Sequence, residues 1–213
     1  MVTKRRVTLV IIILVVVGAL ILIIEEREYL FEKYEWHRVG ERAEKRYKEL
    51  MGKFRKNEKL SSTEIGEIAA YFQLTGRYDE GINVLKEIQK AHDDYGAFLS
   101  LSGLYAYKAR TLSGSDERKK LVSMSYNNMM EGFRKVPEKP LAYYMRGVAY
   151  GLLGCTEKSV EDFKRAIEES KASKIIMLGD GAYVDRERFV SMVERNIATY
   201  KNFRGDCLLE EKM

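Results

Sequence analysis

The sequence has little of what enzyme sites are usually built from. Its only two histidines, His37 and His92, stand far apart. No Ser/His/Asp or Cys/His nucleophile arrangement finds local support from them. No P-loop and no GxGxxG is present, so the common phosphate-cradling loops are missing. Cys155 and Cys207 are the only cysteines, and they form neither a CxxC pair nor a metal spacing. They read as two unpaired small side chains, with a disulfide open to them in an oxidising compartment. The Gly179-Asp180-Gly181 turn before Asp185 lacks the later acidic positions of an EF-hand. It reads as a turn leading into a helix. These absences exclude a recognisable catalytic, cofactor or metal site, so the chain is not expected to be an enzyme or to need a cofactor. Proline occurs only twice, so helices can run almost uninterrupted, and the expected fold class is all-α.

Net charge is +5, but it is unevenly spread. Lys4, Arg5 and Arg6 are three of the 37 basic residues and precede every acid, leaving 34 basic against 32 acidic residues from Glu25 onward. A nucleic-acid partner would call for a basic face or domain, so none is expected. Acidic residues such as Glu157, Glu161, Asp162, Glu168 and Glu169 read as a solvated helix face.

One long apolar run is present. Val7 to Ile24 carries no charge, and Thr8 is its only polar side chain. At about 1.5 Å per residue it is close to the thickness of a bilayer's hydrocarbon core. No A-x-A site comes after it, so it reads as an uncleaved anchor rather than a removed signal peptide. Residues 1–6 form a cytoplasmic tail, because the basic flank stays inside. Glu25, Glu26 and Glu28 lie on the far side, which places the remainder outside the cytoplasm, in a bacterial periplasm. Tyr29, Phe31, Tyr34 and Trp36 suit either the headgroup region or packing on a juxtamembrane helix. Residues 25–60 read as a helical linker. Within it Ala43, Tyr47, Leu50, Met51 and Phe54 share one helix face, a face able to cap the next helices.

Two later stretches align with each other. Superposing Gly76 on Gly154 places Ala69 on Gly147, Phe72 on Tyr150, Gly81 on Ser159, Leu85 on Phe163 and Ile88 on Ala166. A third, longer copy lies between them. Phe98, Leu101, Ser102 and Tyr105 supply its first helix, and Ser125, Met129, Gly132 and Pro137 its second. Its extra length falls near Ser113-Gly114-Ser115, with Ser115 or Asp116 capping the second helix. This pattern resembles the tetratricopeptide repeat (TPR) family, whose 34-residue unit is two antiparallel helices. Small residues let the two backbones approach, and large apolar ones fill the space between units. Arg146 departs from the pattern by standing where an apolar residue is preferred. The resemblance runs over roughly residues 60–171.

These patterns set the domain boundaries. Residues 61–171 hold the repeats (61–94, 95–139 and 140–171), and 172–213 hold a C-terminal capping helix and tail. Ser61 and Glu64 form a capping-box pattern at the start, Thr156 caps the helix after Gly154, and Asp185 caps a final helix reaching about Phe203. Phe189, Met192, Val193, Ile197 and Tyr200 make that helix's apolar stripe. The expected architecture is a transmembrane helix leading into a right-handed superhelix of antiparallel helix pairs.

The resemblance also implies a partner-binding groove lined by the first helix of each pair. Its bulky candidates are Leu74, Leu99, Tyr107, Leu141, Tyr144, Val148 and Leu152, among small residues such as Gly66, Ala70, Gly96, Gly103 and Gly151. Family members that clamp a C-terminal carboxylate use Lys, Arg and Asn there, and none occurs in this set. An apolar groove suits an amphipathic helix or an apolar extended peptide. The C-terminal helix is a rival occupant. The expected role is a membrane-anchored scaffold assembling an envelope complex through protein partners. The alternatives are a cytosol-facing targeting receptor on an organelle and an accessory subunit of an enzyme.

Overall fold

The computed structural model describes residues 38–114, 116–136, 138–179, 182–202 and 206–209. The expected membrane helix 7–24, the tail before it, the linker residues up to His37 with their aromatics, Ser115, Pro137, the Asp180-Gly181 turn and Phe203 lie outside these residues. Among the described residues, no helix is long and apolar enough to cross a membrane.

The chain divides into two compact units, Met1–Glu44 and Lys45–Met213. In the first, the described residues 38–44 are helical. The second opens with helix α1 (45–55). Six helices come next: α2 (Ser62–Thr75), α3 (Tyr78–Ala91), α4 (Tyr95–Thr111), α5 (Asp116–Lys135), α6 (Lys139–Leu152) and α7 (Thr156–Ser170). A hairpin of β1 (Ile175–Gly179) and β2 (Ala182–Asp185) precedes α8 (Arg186–Lys201). The fold is all-α apart from this hairpin.

The helices pack as consecutive pairs, and close contact inside each pair depends on a missing side chain. A Cβ at Gly81 would lie 2.6 Å from the Phe72 ring, one at Gly132 2.8 Å from Leu99, and one at Gly147 2.8 Å from the Phe163 ring. Neighbouring pairs are stitched as tightly, since a Cβ at Gly96 would meet the Ser62 backbone at 2.7 Å. Phe72, Leu85, Leu101, Leu104, Met129 and Phe163 are fully buried in these seams. Helix α1 covers the open side of the α2–α3 pair: Tyr47 stacks on Tyr71 with ring centroids 4.4 Å apart, and Leu50 is completely buried.

Helix ends obey local chemistry. The Ser61 hydroxyl accepts from the Glu64 N–H at 3.2 Å, and the Glu64 carboxylate accepts from the Ser61 N–H at 3.1 Å, a reciprocal capping box. At the other end Gly76 takes φ 68°, the left-handed conformation that favours glycine. The Asp185 carboxylate accepts from the Arg188 N–H at 2.8 Å and starts α8. Thr156 does not cap α7; the N-cap is Cys155, with no side-chain bond there.

Three expectations change. The apolar run from Ile175 becomes strand β1, antiparallel to β2, with Ile176 opposite Val184 and Met177 opposite Tyr183. Ile176 turns inward and is fully buried beside Phe189 and Val193. Cys155 and Cys207 are not unpaired: they are joined, with Cα atoms 4.3 Å apart. In a chain-entropy account, closing a loop of that size stabilises by about 4 kcal/mol. Asp162 is not on a solvated face. Its side chain is 4% exposed and holds Arg146 through two bonds, Nε to Oδ2 at 2.5 Å and Nη2 to Oδ1 at 2.7 Å. The same guanidinium lies 4.2 Å from the Phe133 ring centre. That explains an arginine at a position the repeat pattern keeps apolar: it is neutralised by a carboxylate and stacked on an aromatic face.

Two outcomes test these contacts. Asp162→Ala strands a half-buried guanidinium and lowers stability by about 3–5 kcal/mol, whereas Arg146→Met with Asp162→Leu recovers most of that loss; urea midpoints read both. The Glu64 carboxyl is held below its ordinary range, chiefly by the Lys53 ammonium at 2.7 Å and then by the Ser61 N–H. A depressed carboxyl stabilises above the ordinary carboxylate range, near pH 4.3, and loses that contribution as pH falls through its folded value. Glu64→Gln therefore flattens the acid limb of the stability–pH curve, and Ser61→Ala costs about 1 kcal/mol at neutral pH.

Candidate functional site: an apolar groove closed at one end

Helices α2, α4 and α6, the first members of the three pairs, line one groove of about 620 Å³. Its floor is made of small residues: Gly66 and Ala70 on α2, Gly96, Ser100 and Gly103 on α4, and Ala149 on α6. A Cβ built at Gly66 meets nothing within 4 Å, and one at Gly103 meets only the tips of Gln73 and Leu152, at 3.4 and 3.6 Å. Gly66 faces open space, and the buried Gly103 meets only those side-chain tips, unlike the glycines in the helix seams. The walls are bulky: Tyr95, Leu99 and Tyr107 from α4, and Met145, Val148 and Leu152 from α6. From Tyr95 to Tyr107 the groove runs along α4 for about 18 Å, three helical turns.

Charge is nearly absent from the lining. Glu67 is its one charged side chain, and that carboxylate accepts from Arg46 Nε at 2.7 Å. Ser62, on the floor's edge, donates its hydroxyl to Asp94 at 2.6 Å. Thr63, Gln73 and Ser100 are the further polar side chains apart from the tyrosines.

One end is blocked by α8. Tyr200 stands in the groove lining, and a Cβ at Gly151 would fall 2.2 Å from its ring. The ring also lies on Phe163, centroids 5.7 Å apart. Further up α8, Phe189 meets Tyr144 edge-on at 6.0 Å, and Asn196 donates to the Tyr144 hydroxyl at 3.4 Å. Burial raises the hydroxyl pKa of both Tyr144 and Tyr200. The C-terminal tail runs along the same edge. The Leu208 N–H donates to the Leu153 carbonyl at 2.9 Å, and Leu208 and Leu209 are buried. Gly154 takes φ 77° under the Asp206 carbonyl, which a Cβ there would approach to 2.3 Å.

Of the seven bulky candidates, Leu99, Tyr107, Val148 and Leu152 line the groove. Leu74 does not; it is 49% exposed at the end of α2. Leu141 is buried with Val136 and Ala142 in the seam between the second and third pairs. Tyr144 lies beneath α8. The rival occupant is thus present in part: α8 covers Tyr144 and meets Gly151, and it leaves the rest of the face, Met145, Val148 and Leu152 of α6 included, open. Sequence reasoning missed Tyr95 and Met145 as walls and Tyr200 as the end wall. The α8 stripe gave a signal for Tyr200, but nothing placed that helix. Among the described residues no three His, Cys, Asp or Glu side chains gather as a metal site. No family model, curated protein or solved structure matches the chain.

The end wall can be tested directly. Ala is the better helix former, so Gly151→Ala would stabilise an open helix by up to about 1 kcal/mol. Here the methyl meets the Tyr200 ring, and the substitution destabilises by about 1–3 kcal/mol, read from the denaturant midpoint.

Proposed function

We propose that this chain is a membrane-anchored, TPR-like scaffold that holds the apolar face of a partner's amphipathic helix outside the cytoplasm. The observation that carries this reading is the open groove, with its small-residue floor and bulky apolar walls. Its sides are entirely α-helical, so their backbone amides and carbonyls are already bonded within the helices. An extended occupant would leave its own backbone polar groups without partners, at a cost for each. A helix satisfies its backbone internally and presents side chains alone. About three turns match the groove's length, and the near absence of charge selects an apolar stripe. The basic Lys4-Arg5-Arg6 flank favours export of the chain beyond the apolar run. The Cys155–Cys207 bond supports the same side, because cytosolic thiols are kept reduced. Tethering such a groove to a membrane suits an assembly role in an envelope complex.

Gly66→Leu tests the reading without disturbing the fold. The added side chain enters open groove space, and replacing a helical glycine raises stability by up to about 1 kcal/mol. A photo-crosslinking residue at position 107 should capture a helical segment of a membrane or periplasmic protein, and Gly66→Leu should abolish that capture. Equal capture by the filled groove would sink the proposal.

A further inference from the structure

The disulfide sits where thiol chemistry can reach it and where opening it has a structural consequence. Cys155 and Cys207 both line a surface pocket of about 270 Å³, together with Gly154, Glu157, Lys158 and Asp206. Cys155 is 3% exposed, while Cys207 is only half-buried. Their settings also differ electrostatically. Cys155 is the N-cap of the 15-residue helix α7 and has no side-chain cap bond. Cys155 therefore stands at the positive end of the helix dipole, a setting that stabilises a thiolate, and its sulfur lies 3.7 Å from the Leu153 carbonyl oxygen. Cys207 belongs to no helix. Attack on a disulfide is faster when the departing sulfur is the better thiolate. Access and leaving-group quality thus select the same direction: attack on Cys207 Sγ, with departure of Cys155.

We propose that Cys155–Cys207 is an exchange-active latch, opened by a dithiol of the thioredoxin type, that sets the closed end of the groove. A thiolate of the dithiol bonds to Cys207 Sγ as the Cys155–Cys207 bond breaks, and the electron pair leaves on Cys155 as thiolate. The second thiol of the dithiol, deprotonated, then attacks its own mixed-disulfide sulfur and releases Cys207 as thiolate. Two electrons pass to the protein, the dithiol becomes a disulfide, and solvent protons complete the thiols. The tail is then held by the Leu208 N–H bond to Leu153 and the burial of Leu208 and Leu209. Tyr200 loses the covalent tie seven residues beyond it. The end wall loosens, and the part of the third pair's face that α8 covers, Tyr144 included, joins the open groove. Only this consequence rests on the groove reading; the exchange chemistry stands without it.

The test uses the full oxidised chain and needs no partner. A dithiol reductase with its resolving cysteine replaced should be trapped on Cys207, as located by peptide mass spectrometry. Glu157→Gln should speed the exchange, and Lys158→Gln should slow it, each by about two- to fivefold, because both charges lie in the first turn of α7 and line the same pocket as the departing thiolate. Both residues begin an exposed helical turn, so neither change threatens folding. Hydrogen exchange after reduction by millimolar dithiol should rise about tenfold in 194–202 and 144–152 and stay unchanged in α2 to α4. Reduction that proceeds only in denaturant would make the bond a plain staple and overturn the proposal. So would trapping on Cys155, or reduction that leaves exchange in α8 unaltered. Gly66→Leu leaves the disulfide untouched, so the groove reading fails or stands separately.

Discussion

The arrangement turns on Phe163 lying where Gly147 has no side chain. With a Cβ only 2.8 Å from that ring, any other residue at 147 would force α6 and α7 apart. The fully buried ring then becomes the surface on which the rest of the C-terminal half is built. Tyr144 and Tyr200 both lie against it, and Ile176, Phe189 and Val193 complete the cluster. Helix α8 can seat only because α6 and α7 are this close, and Tyr200 can wall the groove only because α8 seats there. A glycine inside a helix costs stability by itself. Here that cost is offset by burying several aromatic rings that would otherwise face water.

The glycines of the paired helices differ in what stands where a side chain would be. Gly81, Gly96, Gly132 and Gly147 have partners at 2.6 to 2.8 Å from a would-be Cβ, so their absent side chains are space already taken by neighbours. Gly66 has nothing within 4 Å, and Gly103 has only flexible tips near it. No packing demand explains these two, which lie on the floor of the same groove. Gly151 belongs with the first group in contact but with the second in position. Its space is taken by Tyr200, a residue of α8 and not of the three helix pairs.

The features legible in the sequence were those that depend on near neighbours. The Ser61–Glu64 box and the Asp185 cap are read within four residues, and the apolar stripes repeat within two turns. The all-α class rested on those signals and on the scarcity of proline. The hairpin was missed because an apolar run of four residues carries no period able to separate strand from helix. Asp162 was misread because its partner, Arg146, lies on the preceding helix and its burial depends on a crossing that no local pattern encodes. The same reason covers the cysteines, 52 residues apart in sequence. In the groove, Leu99, Tyr107, Val148 and Leu152 could be named only through what the repeat resemblance implies for the first helix of each pair. Leu141 and Tyr144 occupy equivalent positions yet are buried by the neighbouring pair and by α8. Which bulky residues of a stripe stay exposed is decided by the elements that pack on it, and that is tertiary information.

A groove walled only by helices would select an occupant by shape, since it has few polar groups to aim. Recognition by shape rewards rigidity: every side chain or segment that must be ordered on binding subtracts from the affinity. The floor is rigid because its residues have almost no rotamers to lose, and α4 is fixed by close contacts with the helices on either side. The end wall is different, because α8 comes after a two-stranded hairpin and would be the segment most prone to fray. Its C-terminal edge is secured by the tail that passes over Gly154, buries Leu208 and Leu209, and ends in a covalent bond to the N-cap of α7. That bond joins the tail beyond α8 to the start of α7. The closed end of the groove is therefore secured in part by a covalent bond of the kind that thiol exchange can open.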